Sequence, residues 1–177
     1  MKFRMTDSRD TPSEDFAATP LGDGLSLVAW IFLLVALGAG AGVLFAPDDW
    51  YDALLKPTFN PPSAVFGPVW TVLYALMAVA LWLVRRHRDA DDRALRRRAT
   101  QLFAIQLVLN LAWTPLFFGL HSAALAFVDI CLLWLALLAT TLAFGRVRPV
   151  AGYLLLPYML WVSFALVLNG TIWLMNA

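Results

Sequence analysis

The chain has 177 residues, 61% of them hydrophobic and only 14% charged, with a formal net charge of +1 and a mean hydropathy of +0.72. That balance excludes a single soluble domain of ordinary composition and reads as an integral membrane protein.

In chain order, the segment 1–24 mixes five acids with three bases and holds Pro12 and Pro20. It is unlike the short basic start of a signal peptide and reads as a disordered polar tail, with the first span retained. Five apolar runs follow, at about 25–45, 65–84, 99–120, 122–144 and 150–175, each near the ~20 residues of helix that cross a hydrocarbon core. The fold class is therefore all-α, a membrane bundle of five transmembrane helices over 25–177, with no room for a separate soluble domain.

The first span carries Gly38-Ala-Gly-Ala-Gly42, a small-xxx-small face on which another helix can approach closely, within the monomer or between subunits. Next come Leu55-Lys-Pro-Thr-Phe-Asn-Pro-Pro62 and then Val65-Phe-Gly-Pro-Val-Trp-Thr-Val-Leu-Tyr74. This proline-stiffened aromatic loop meets the mouth of an apolar helix, as a lid over an intramembrane pocket would.

The loop 85–98 holds seven arginines in fourteen residues but no interleaved aromatics for base stacking. It reads as a topology determinant that contacts lipid phosphate, not as a nucleic-acid patch. The tail, this loop and 146–148 carry twelve of the thirteen basic residues, which puts the N-terminus inside and the C-terminus outside; Lys56 and its loop then face outward. Cys131 is the only cysteine, so no intramolecular disulfide forms. His87 and His121 fall at opposite faces without partners at metal-ligand spacing, and no phosphate loop, nucleophile elbow or paired acidic motif is found, so neither a metal nor a catalytic residue is assigned.

Trp30, Trp82 and Trp173 lie near span ends and suit an interfacial belt. Trp70, Trp113, Trp134 and Trp161 sit deeper, where an indole N–H needs a partner. Helical phase gathers three stripes: Phe66, Trp70 and Tyr74; Gln106, Asn110, Trp113 and Phe117; Tyr158, Trp161, Ala165 and Asn169. Counting the helical rise from the outer end of each span puts Trp70 at ~8 Å, Trp113 and Asp129 at ~10 Å, Tyr74 and Asn110 at ~14 Å and Trp161 at ~20 Å. Facing one another, the stripes would enclose an aromatic cavity; otherwise they are core packing with amide cross-links. Asp129, the only acid within a span, is read as a structural bond to a neighbouring helix.

These residues closely resemble the translocator protein family, which includes the tryptophan-rich sensory proteins. The match runs from about Leu25 to Asn176 through Trp50-Tyr51, Lys56-Pro57, Asn60-Pro61-Pro62, Val65-Phe66, Trp70-Thr71, Leu73-Tyr74, Gln106-Leu107, Leu109-Asn110, Trp113, Phe117-Phe118-Gly119, Val128-Asp129, Pro157-Tyr158, Trp161, Leu168-Asn169 and Trp173. The resemblance implies a five-helix bundle, usually a homodimer, binding porphyrins such as protoporphyrin IX or haem and other hydrophobic molecules under the first loop. It implies no required cofactor. By it, Trp70, Tyr74, Asn110, Trp113 and Trp161 would line the pocket, with Tyr51 and Pro61 supplied by the lid. The stripes add Phe66, Gln106 and Ala165, and leave Asp129 and Asn169 as structural groups. Phe59 stands where family members often have Trp, and Gly170 and Leu174 replace the Tyr and basic residue of the animal sterol segment, which points to a bacterial-type member in a cell or outer membrane. The function so implied is a receptor or sensor acting in tetrapyrrole or stress physiology; a porphyrin exporter or a light-dependent porphyrin-degrading enzyme are the rival readings.

Overall fold

The computed structural model describes residues 20–87 and 93–177, and every regular element among them is helical. In order they are α1 (Pro20–Leu44), α2 (Asp49–Ala53), α3 (Ser63–Arg86), α4 (Arg93–Thr114) running on through a π-helical turn (Pro115–Gly119), α5 (Ala123–Val147), α6 (Pro149–Tyr153) and α7 (Leu156–Met175). Five segments are long and apolar enough to cross a membrane: Gly24–Leu44, Ser63–Arg86, Arg93–Gly119, Ala123–Val147 and Pro149–Met175. The expected all-α fold with five spanning helices is found, while the loop expected at 85–98 is helical at both ends, because α3 runs on to Arg86 and α4 already starts at Arg93. Of the expected tail, residues 1–19 lie outside the described residues, while 20–24 already belong to α1. Pro20 explains that start, because at a first helical position its missing N–H costs nothing and its fixed φ suits the helix.

Prolines shape the helices in ways that hydropathy alone does not reveal. Pro157 cannot donate to Tyr153 and its ring crowds that carbonyl. The last span accordingly breaks at Leu154–Leu155 into α6 and α7. Pro115 has the same effect on α4: the helix widens into a π-turn in which the Leu120 amide donates to the Pro115 carbonyl at 2.8 Å. Two glycines permit close crossings. A Cβ at Gly152 would fall 2.9 Å from Gly145 Cα, and one at Gly38 would fall 1.9 Å from Tyr74 Cε2. Gly38 therefore serves packing of α1 on α3 within the chain.

The α5 helix packs along both α4 and α7, and α1 lies outside on α3. Among the described residues of α1 only Leu34 is buried, while Val28, Phe32, Val43 and Leu44 point outward, as a lipid-facing helix would arrange them. The loop between α1 and α3 does not sit on top of the bundle. It descends along α7: Leu55 is held at Asn176, Phe59 packs on Phe164 and Phe66 on Trp161. From Asn176 to Phe164 that descent covers ~18 Å of helix.

Candidate functional site

Between α1, α3, α4, α5, α7 and the descending loop lies a cavity of about 500 Å³, within the size range of small-molecule sites. Its wall includes Tyr51, Phe66, Trp70, Tyr74, Asn110, Trp113, Trp161, Ala165 and Asn169, so most of the residues picked out by phase and resemblance meet around one space. Pro61 and Gln106 are not in the wall. Gln106 shares the helical phase of Asn110 but is fully buried, with neither amide atom hydrogen-bonded to a described residue. Among the lining residues that sequence reasoning missed are Gly38, Asn60, Thr71, Thr114 and Phe118. The depth count also needs correction. It took all span ends as level, whereas the loop brings Phe66, at the start of α3, down against Trp161, ring centroids 5.8 Å apart.

A chain of hydrogen bonds ties three helices together at the cavity wall. The Tyr74 hydroxyl donates to Asn110 Oδ1 at 2.5 Å, and Asn110 Nδ2 donates to the Tyr158 hydroxyl oxygen at 2.7 Å, linking α3, α4 and α7. Asn169 makes a second cross-link: it accepts from Trp113 Nε1 at 2.9 Å and donates to the Ala123 carbonyl at 2.9 Å. Trp134 Nε1 donates to Ser163 Oγ at 2.9 Å, joining α5 to α7. Asp129 does not form the expected bond to a neighbouring helix. It is buried, and among the described residues its Oδ2 has no donor.

The four deep indoles thus divide into two pairs. Trp113 and Trp134 donate within the protein; Trp70 and Trp161, both in the cavity wall, donate to no described residue. Asn60 adds a buried side-chain oxygen without a partner on the loop side of the same wall. Among the described residues no charged side chain lines the space. Chemically, the cavity offers aromatic faces, two indole donors and one amide to a flat apolar molecule. Lys56 lies just outside, its Nζ 4.3 Å from the centroid of the Tyr51 ring and bonded to the Asp52 and Leu54 carbonyls.

The loop is clasped at its other end as well. His121, in the turn before α5 with φ of 51°, places Nε2 at 2.8 Å from Asp48 Oδ2 and stacks on Trp50 at 4.8 Å. An ionised carboxylate only accepts, so Nε2–H is the donor. Desolvation, which would raise the Asp48 pKa, is outweighed by the hydrogen bonds from His121 and from the Tyr51 and Trp50 amides, which hold it below the ordinary 3.8. An aspartate with a lower pKa in the closed loop than in the open one favours closure above the ordinary range; that preference disappears as pH falls through the lowered value. Hydrogen exchange at the amides of Trp50–Ala53, corrected for intrinsic rate, should therefore rise in the wild type below about pH 4. In Asp48→Asn it should be faster at neutral pH and lack this acid transition; a transition surviving in Asp48→Asn would assign it to another group.

A profile described as the TspO/MBR family matches residues 29–174. The tryptophan-rich protein TspO of Chlorobaculum tepidum is 44% identical over 154 residues, covering 86% of this chain and 96% of that protein. Protein CrtK of Rhodobacter capsulatus is 36% identical over 152 residues, 86% of this chain and 94% of its own. The human translocator protein is 38% identical over 145 residues, 80% of this chain and 85% of its own.

Proposed function

The chain belongs to the TspO/MBR family, a multi-pass integral membrane protein of sensor or receptor type, and we propose that its ligand is a tetrapyrrole held in the cavity beneath the descending loop. The observation that carries this reading is the pair of indole donors, Trp70 and Trp161, that have no acceptor among the described residues and stand in the aromatic wall of a cavity of about 500 Å³. A porphyrin is flat, stacks on such faces and presents a broad π-surface that accepts from an indole N–H. Its carboxylates have no charged partner within the wall, so they belong at the mouth, beside Lys56. By the distribution of basic residues that mouth faces outward, and a homodimer is the proposed assembly.

The test is titration of purified protein with protoporphyrin IX in the dark, read by tryptophan quenching. Trp70→Phe and Trp161→Phe keep an aromatic face and lose one donor each, so affinity should fall about two- to tenfold. Lys56→Gln should weaken the dicarboxylic porphyrin by up to about fivefold and leave its dimethyl ester unaffected. Gln106→Leu, outside the cavity wall, should leave affinity unchanged. Quenching that does not saturate, or that none of these changes alters, would mean partitioning into detergent and would dismiss the site.

A further inference from the structure

At the membrane face opposite the loop, the end of α3 and the first turns of α4 form a second, open cleft of about 230 Å³ lined by Arg85, Arg93, Arg96, Arg97 and Thr100. Four guanidinium groups share this small space, and none has a carboxylate partner among the described residues. Arg96 is anchored: its Nη1 donates to the His87 carbonyl, while its Nε is buried without an acceptor. The Thr100 hydroxyl is occupied by the Arg96 carbonyl at 2.9 Å, which fixes the cleft floor to the helix. Arginines gathered with no carboxylate partner among the described residues repel, and a multivalent anion relieves that repulsion while using their planar donor forks.

The level of the cleft identifies the anion. Arg85 of the cleft lies over Trp30 and the neighbouring Arg86 over Trp82, with centroid distances of 5.3 and 4.9 Å, so the cleft lies at the level of two indoles of the interfacial belt. Headgroup phosphates occupy this depth. Across 85–98 the sequence sets seven arginines against three aspartates, so the region stays positive overall. We propose that this cleft is a phosphate site, separate from the cavity, which takes the phosphate of an anionic lipid headgroup or of a soluble phosphate ester. Its occupation would tie α3 to α4 at the face remote from the loop.

Native mass spectrometry of the full chain in a neutral detergent tests this, with phosphatidylglycerol and phosphatidylcholine offered in equal amounts. The wild type should retain phosphatidylglycerol preferentially, and Arg93→Gln/Arg97→Gln should reduce that retention by roughly fivefold for each arginine removed. Displacement by millimolar inorganic phosphate would identify a soluble phosphate as the source; retention in its presence would identify the lipid headgroup. If the double variant does not fold, Arg97→Gln alone carries the same comparison, with a reduction of roughly fivefold. Equal retention by wild type and variant would overturn the site, as would an equal loss in Arg146→Gln/Arg148→Gln, which thins the positive charge following α5 without touching the cleft.

Discussion

Alanine at Gly38 is expected to cost the protein both stability and ligand binding. Its Cβ would fall 1.9 Å from Tyr74 Cε2 and 2.4 Å from Cζ, so either the ring or the helix must move. If the ring swings away, the Tyr74 to Asn110 hydrogen bond and the 5.4 Å packing of Tyr74 on Trp70 are lost. If α1 moves out, the cavity loses the wall formed by Val35, Ala39 and Gly42. Overpacking costs ~1–3 kcal/mol, and the lost bond adds ~0.6–2 kcal/mol in a membrane interior. Thermal unfolding in detergent measures the first effect and porphyrin quenching the second. Gly40→Ala is the control: nothing lies within 4 Å of its Cβ position, and alanine's better helix propensity should leave it as stable as the wild type or slightly more so. A Gly38→Ala protein matching Gly40→Ala in both measurements would show that α1 yields without consequence.

Asn110→Ala is expected to be the most damaging change in the cavity wall, for a structural reason. Its amide is the shared partner of two tyrosine hydroxyls from two other helices, and removing it strands both. The expected loss is about 1–4 kcal/mol, two membrane hydrogen bonds at ~0.6–2 kcal/mol each. Because the three groups form one network, Tyr74→Phe and Tyr158→Phe should each recover part of that loss when combined with Asn110→Ala. Strict additivity of the three changes would mean that the hydroxyls find other partners, and Asn110 would then be better read as a direct ligand contact.

What the sequence made legible follows from periodicity and composition. Trp70, Tyr74, Asn110, Trp113 and Trp161 repeat at helical spacing and do share one wall. Gln106 shows the limit of that argument: phase tells which face a residue is on, but not whether the facing space is cavity or packed side chains, and Gln106 meets the latter. Tyr158 was placed on the correct stripe, yet its part as the far end of the Tyr74–Asn110 chain depends on distances between helices that no single-helix pattern contains. The level-ends assumption failed at α3 because the loop takes up length by running down α7, and the π-turn after Pro115 and the break before Pro157 depend on local proline geometry that hydropathy averages away. Asp129 was assigned a bond because burial of an acid demands one, and the described residues supply none.

Asn176 holds both the amide and the carbonyl of Leu55, at 2.9 and 3.0 Å, across 121 positions of sequence, while its Nδ2 also reaches the Ile172 carbonyl at 2.7 Å. The last turn of α7 is thus mechanically in series with the loop: a pull on one is felt by the other. A purification handle or fluorescent fusion attached close behind Asn176 would load the entrance directly and could pass for altered ligand response. The start of α1, whose Ser26 and Trp30 meet Trp82 and Arg85 at the opposite face, gives an attachment point outside that circuit.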